Sequence, residues 1–149
     1  MKQYNSTAEA LSENKEVAVV VNGISMLPML RGGKDIAVIE RVERPLKIGD
    51  VPLYRVPNSD KFVLHRIIKI TPKEFIIRGD NVYHIERVKE GDIIGVLKGF
   101  YKDGKYTDCA TSKAYKLYVF SNRLFYLPRT LWVIKIKPFL SKIKHKILN

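Results

Sequence analysis

The chain has 149 residues, a length typical of one domain, and 46% of them are apolar, which excludes a chain too polar to fold. Its 27 Lys and Arg residues outnumber its 15 Asp and Glu residues, and the formal net charge is +12. Such an excess suits anionic lipid, nucleic acid or an acidic partner, and composition alone does not choose among them. Cys109 is the only cysteine, so an internal disulfide is excluded and we expect this side chain to pack in the fold.

The first sixteen residues form a polar arm, and strand-like patterns follow it. Short runs rich in Val and Ile alternate with Gly-Asp, Pro-Asn and Asp-Asn turn signals. The predicted strands are 17–21, 36–42, 51–56, 62–70, 74–79 and 92–101. An Asp-Gly pair within residues 102–105 predicts a hairpin that returns over 105–110. The sequence therefore predicts a mainly β domain over residues 17–110, built on a bent, partly closed antiparallel sheet.

Residues 111–149 form a third segment with a helical pattern. Apolar side chains recur at helical spacing among lysines in its last stretch, and Pro128 and Pro138 interrupt the segment. We predict a basic, amphipathic α-helical tail. No stretch of the chain reaches the roughly 20 apolar residues that cross a bilayer as a helix. We therefore expect a cytoplasmic protein without a signal peptide or transmembrane helix, either free or held peripherally at an anionic membrane by this tail.

A serine follows the first predicted strand in the segment NGISMLPML, residues 22–30. The Leu-Pro pair after Ser25 and Met26 forces the chain to turn. A hydroxyl at the end of a strand, beside a turn, is exposed and lies near backbone N–H groups that can stabilise an oxyanion during acyl transfer. The same segment is also compatible with a plain turn.

Two further segments carry groups that could serve a serine nucleophile. His65 lies inside the apolar run FVLHRIIKI, residues 62–70, where a histidine is either a structural residue or a general base. Asp80 lies in a Gly-Asp-Asn turn, where its carboxylate either shapes the turn or orients the imidazole of His65. Asp50, after Gly49, is predicted to be a turn residue only.

Together these segments resemble the clan that unites signal peptidase I with the self-cleaving repressors. The clan has a G-x-S-M-x-P-x-L box, a Gly-Asp strand, a strand that bears the base, and a Gly-Asp-Asn turn. The matching segments here, in the same order, are GISMLPML (23–30), GDV (49–51), LHRI (64–67) and RGDN (78–81). The resemblance covers roughly residues 17–100.

The base distinguishes two types within this clan, and the His65-Arg66-Ile67 triplet resembles the histidine type of the endoplasmic reticulum and archaea. By this resemblance Ser25 is the nucleophile, His65 the general base and Asp80 the first acidic residue. Glu86 stands where the family has a second Asp. Gly23 carries no hydroxyl for the oxyanion hole, so the backbone N–H groups of the turn, chiefly that of Ser25, would form it with Gly23 and Met26 as support.

The resemblance implies a serine endopeptidase that cleaves a leader or signal segment through an acyl-enzyme. The substrate would bind as an extended strand at a sheet edge, with small side chains near the cut. No metal or other cofactor is implied, because no His, Cys or Asp cluster has the spacing of metal ligands. The alternative is a non-catalytic or self-cleaving regulatory module like the repressors. Only about sixteen residues precede the first strand, too few for their helix-turn-helix, and we expect no specific nucleic-acid partner.

Overall fold

The structure, a computed structural model, describes residues 6–131. It divides into two compact units between Tyr115 and Lys116. The first unit holds helix α1 and nine strands, and the second begins within helix α2. The helices are α1 (Thr7–Glu13) and α2 (Lys113–Leu131). The strands are β1 (Glu16–Val20), β2 (Ile36–Glu40), β3 (Pro52–Arg55), β4 (Phe62–Leu64), β5 (Arg66–Ile70), β6 (Phe75–Arg78), β7 (Glu86–Val88), β8 (Ile93–Lys102) and β9 (Lys105–Asp108).

The strands form two antiparallel sheets. The first is curled, with the order β1-β2-β8-β3-β4, and β9 pairs with β8. The second has the order β5-β6-β7. The long strand β8 carries a register shift against β2 and another against β3, and such irregularities increase the bend of a sheet. The predicted fold class, a mainly β core followed by a helix, is confirmed.

The turn between β8 and β9 matches the predicted hairpin. Asp103 and Gly104 have φ values of 50° and 75°, and Lys102 pairs with Lys105. Two consecutive residues with positive φ give a turn whose twist fits the flanking strands, and Asp-Gly is a favoured pair for it. The strand pattern thus predicted both the position and the turn chemistry of this hairpin.

One predicted strand is two strands in the structure. The run 62–70 divides at His65 into β4, which belongs to the first sheet, and β5, which belongs to the second. His65 is therefore the residue at which the chain passes from one sheet to the other. A core cluster of Tyr54, Ile67, Ile77 and Val88 joins side chains from both sheets.

The structure also adds elements that the pattern did not predict. Helix α1 lies inside the predicted polar arm, where the Ser6 hydroxyl accepts a hydrogen bond from the Glu9 N–H, and its Leu11 is buried. Strand β7 is only three residues long, too short to show an alternating pattern.

Helix α2 begins at Lys113 and continues through Pro128, where the sequence predicted an interruption. The predicted helix over 129–148 lies almost wholly outside the described residues. Within residues 6–131, no helix has the length and apolar content needed to cross a membrane.

Candidate active site

Ser25 lies in a turn whose backbone is fixed from two sides. Gly23 has a φ of 77°, which favours glycine, and Gly32 packs so closely that a Cβ there would lie 2.3 Å from the Gly23 carbonyl oxygen. On the other side, Asn81 donates its backbone N–H to the Ser25 carbonyl at 2.7 Å and its side-chain amide to the Ile24 carbonyl at 3.1 Å. The RGDN segment therefore holds the backbone of the serine turn.

This turn borders a cavity of about 410 Å³. Ser25 and Met26 line it together with His65, and the remaining wall is largely apolar. Among the described residues, no acceptor is found for the backbone N–H groups of Ser25 and Met26, and no hydrogen bond of 3.5 Å or less links the Ser25 hydroxyl to His65. In an unliganded enzyme, the distance between nucleophile and base is often longer than a hydrogen bond. The relevant observation is therefore that Ser25 and His65 line the same cavity.

His65 is buried, with 5% of its surface exposed, and its two ring nitrogens face different surroundings. Nδ1 lies 2.7 Å from a carboxylate oxygen of Glu86 and 3.2 Å from the hydroxyl of Tyr54. Nε2 lies on the side of Gly79, where a Cβ would be 3.0 Å from Nε2 and 2.7 Å from the Ser25 carbonyl oxygen. The nitrogen that is not bound to Glu86 therefore faces the serine turn.

Glu86 is half-buried, and its environment determines its charge. Burial raises the pKa of the carboxyl, but the hydrogen bonds from Tyr54 and His65 outweigh burial and lower the pKa overall. The carboxylate is therefore ionised near neutral pH and can only accept hydrogen bonds. It follows that Nδ1 of His65 is the donor in this hydrogen bond, and in a neutral imidazole of this tautomer the lone pair is on Nε2.

Asp80, for which the sequence left a turn role and an orienting role open, pairs with Arg66 in the structure. It is buried, and its two carboxylate oxygens accept hydrogen bonds from Arg66, at 2.8 Å from Nε and 2.6 Å from Nη2. The same guanidinium donates to the Gly49 carbonyl and contacts Met29 of the serine turn. Burial lowers the pKa of Arg66, and the hydrogen bond and charge of Asp80 raise it above its usual value. In the structure Asp80 thus anchors the framework, and Glu86 is the acid at the imidazole.

Sequence reasoning missed Tyr54, Arg66 and Asn81 as parts of this site. Tyr54 was a strand residue in an apolar run, and its hydroxyl partner lies 32 positions further along the chain. Arg66 lies in the LHRI segment and Asn81 in the RGDN segment, which were singled out for His65 and Asp80. Membership in these motifs was the signal that could have identified both residues. Within residues 6–131, no group of three or more His, Cys, Asp or Glu side chains is arranged to hold a metal ion.

Comparison with known proteins shows which proteins this chain is similar to. The signal peptidase complex catalytic subunit SEC11C of Homo sapiens is 30% identical over 98 residues, which are 56% of this chain and 50% of that protein. SEC11 of Zygosaccharomyces rouxii, also a signal peptidase complex catalytic subunit, is 28% identical over 106 residues, 61% of this chain and 62% of the relative. Over these stretches the chain is similar to signal peptidase catalytic subunits.

This relationship confirms the resemblance inferred from the four motifs. The chain matches only about half to three-fifths of the length of these signal peptidase relatives. No family model matches it.

Proposed function

We propose that the protein is a serine endopeptidase of the signal-peptidase type, with Ser25 as nucleophile and His65 as general base. The observation that carries the proposal is the orientation of His65. Its Nδ1 is bound to an ionised carboxylate, and its Nε2 faces the turn that bears Ser25. The relationship to signal peptidase catalytic subunits supports a protease function independently of this geometry.

In the proposed reaction, Nε2 of His65 takes the proton of the Ser25 hydroxyl as its oxygen attacks the scissile carbonyl. The backbone N–H groups of Ser25 and Met26 supply hydrogen bonds to the oxyanion. His65 then returns the proton to the leaving amine, and water hydrolyses the acyl-enzyme by the same route. Glu86 stabilises the imidazolium that forms at each proton transfer.

We propose that the substrate is an extended peptide such as a leader or signal segment. The two terminal strands of the first sheet, β1 and β4, both contribute side chains to the cavity that holds Ser25 and His65. Terminal strands offer backbone N–H and C=O groups to an added strand, which favours main-chain recognition of a peptide.

The test of this proposal is cleavage of a pool of synthetic signal and leader peptides, with products identified by mass spectrometry. His65→Ala should reduce cleavage to the background rate, because the base is lost while the serine remains. His65→Lys tests the type of base. Full activity of His65→Lys would contradict the assignment to the histidine type.

We propose in addition that the enzyme works at an anionic membrane surface. The supporting observation concerns α2, on which Leu117, Phe120 and Leu124 are 68%, 64% and 59% exposed. These positions are three and four residues apart and therefore lie on one face of the helix. Residues 109–149 contain nine Lys and Arg and no Asp or Glu, and a basic, amphipathic segment of this kind suits the surface of anionic lipid.

A further inference from the structure

We infer that Tyr54 is a positioning residue for His65, acting through the carboxylate of Glu86. This inference rests on the proposed function, since it concerns the same imidazole. It adds to the proposed triad a fourth residue, which lies behind His65 and is not among the residues that line the cavity.

The inference starts from a closed set of contacts among three side chains. The Tyr54 hydroxyl donates a hydrogen bond to Oε2 of Glu86, and the same oxygen lies 2.7 Å from Nδ1 of His65. The hydroxyl also lies 3.2 Å from Nδ1. Because a phenol has one proton and Tyr54 gives it to Glu86, the carboxylate receives one hydrogen bond from each of its neighbours.

A glutamate needs this second contact more than an aspartate would. Its side chain has one more rotatable bond, so a single hydrogen bond to His65 would leave the carboxylate several rotamers. About 29% of the Glu86 side chain is exposed, so packing alone does not hold it. A second donor at the same oxygen selects the rotamer that faces Nδ1.

Tyr54 is suited to hold that carboxylate because it is itself fixed. It is 1% exposed and belongs to the core cluster with Ile67, Ile77 and Val88, which spans both sheets. Burial and the bond to Glu86 raise its pKa, so the hydroxyl keeps its proton and remains a donor. The Tyr54 hydroxyl and the Glu86 carboxylate thereby connect the core to the imidazole of His65 and fix its orientation.

A purely structural role for the hydroxyl is the competing explanation, and Tyr54→Phe separates the two because it keeps the ring in the core. We expect kcat to fall by about 10- to 100-fold with KM little changed, the size typical for loss of a group that orients a catalytic residue. Tyr101→Phe, at an exposed tyrosine on β8, is the matched control and should leave both constants unchanged. Thermal unfolding of both variants checks that they are folded.

A second pair of measurements tests the route through Glu86. In a Glu86→Gln background, Tyr54→Phe should lower kcat by much less than in the wild type, because the group it holds is already changed. Without any substrate, the low-field proton resonance of the His65 Nδ1–H should shift or broaden in Tyr54→Phe and stay unchanged in Tyr101→Phe. If the wild type cleaves no peptide but the resonance responds, the proposed function fails and the positioning role stands. A wild-type resonance and kcat in folded Tyr54→Phe, or equal effects in both backgrounds, would overturn the inference.

Discussion

At the scale of single residues, the site depends on Gly79, a position at which there is no room for a side chain. A Cβ on Gly79 would come within 3.0 Å or less of the Ser25 carbonyl, a methyl of Val82 and Nε2 of His65. The glycine therefore lets the backbone of the RGDN segment approach both the serine turn and the imidazole. A substituent there would have to displace the Ser25 backbone, the Val82 side chain or the imidazole of His65.

Gly79→Ala should accordingly damage cleavage more than stability. Overpacking by one methyl costs about 1–3 kcal/mol of unfolding free energy, whereas a displacement near 1 Å between nucleophile and base lowers kcat/KM by about 100-fold. Gly91→Ala is the matched control, because a Cβ at Gly91 meets no atom within 4 Å. Urea unfolding and peptide cleavage measure the two quantities. Wild-type cleavage by Gly79→Ala would show that this close approach does not matter.

At the scale of elements, Arg66 joins the segments that the four motifs occupy. It begins β5, pairs with Asp80 of the RGDN segment, donates to Gly49 and reaches Met29 of the serine turn. One guanidinium thus fixes three loops relative to one strand. Residues from all four motif segments are thus connected through this one side chain.

Asp80→Asn should therefore destabilise the whole first unit. Removal of one partner from a buried ion pair costs about 3–5 kcal/mol, because the remaining charge stays buried. The matched control is Glu74→Gln, which breaks the partly exposed pair with Arg87 and should cost about 0–1 kcal/mol. The midpoint of urea unfolding measures both. An equal, small loss in the two variants would contradict the framework role of Asp80.

The limits of prediction from sequence are also clearest at this scale. Alternating Val and Ile runs and the Asp-Gly pair were enough to place most strands and the β8–β9 hairpin, since both are local signals. The division at His65 was not predictable, because the run 62–70 stays apolar while the chain changes sheets. The choice between Asp80 and Glu86 depends on the pairing of β6 with β7, in which Ile77 lies opposite Glu86, and no local pattern encodes that pairing.

At the scale of the whole molecule, charge and function are unevenly distributed along the chain. The site is built from residues before position 90, whereas residues 109–149 carry basic side chains and no acid. The exposed apolar face of α2 adds a second attractive contribution to the same segment. Both contributions favour an anionic lipid surface, at which each Lys or Arg adds about 1 kcal/mol of binding energy.

Co-sedimentation with vesicles tests this proposal. The protein should bind vesicles of phosphatidylglycerol and phosphatidylcholine at low salt, and bind less at high salt because screening shortens the electrostatic reach. Simultaneous replacement of Leu117, Phe120 and Leu124 by Gln should weaken binding. The same replacement of three exposed aliphatic residues of the first unit, Val42, Ile48 and Ile70, is the control and should not. No binding to anionic vesicles at low salt would exclude the membrane proposal.

The central claim is that Ser25 forms an acyl-enzyme, and trapping that intermediate tests it most directly. The protein is mixed with the pool of signal and leader peptides and quenched in acid within a turnover, and its intact mass and peptide map are recorded. We expect a peptide fragment attached to Ser25 in the wild type and in the control Ser12→Ala, whose exposed hydroxyl donates to the Glu9 carbonyl within α1. In Ser25→Ala we expect neither the adduct nor cleavage above background. Cleavage by Ser25→Ala at the wild-type rate would contradict the account.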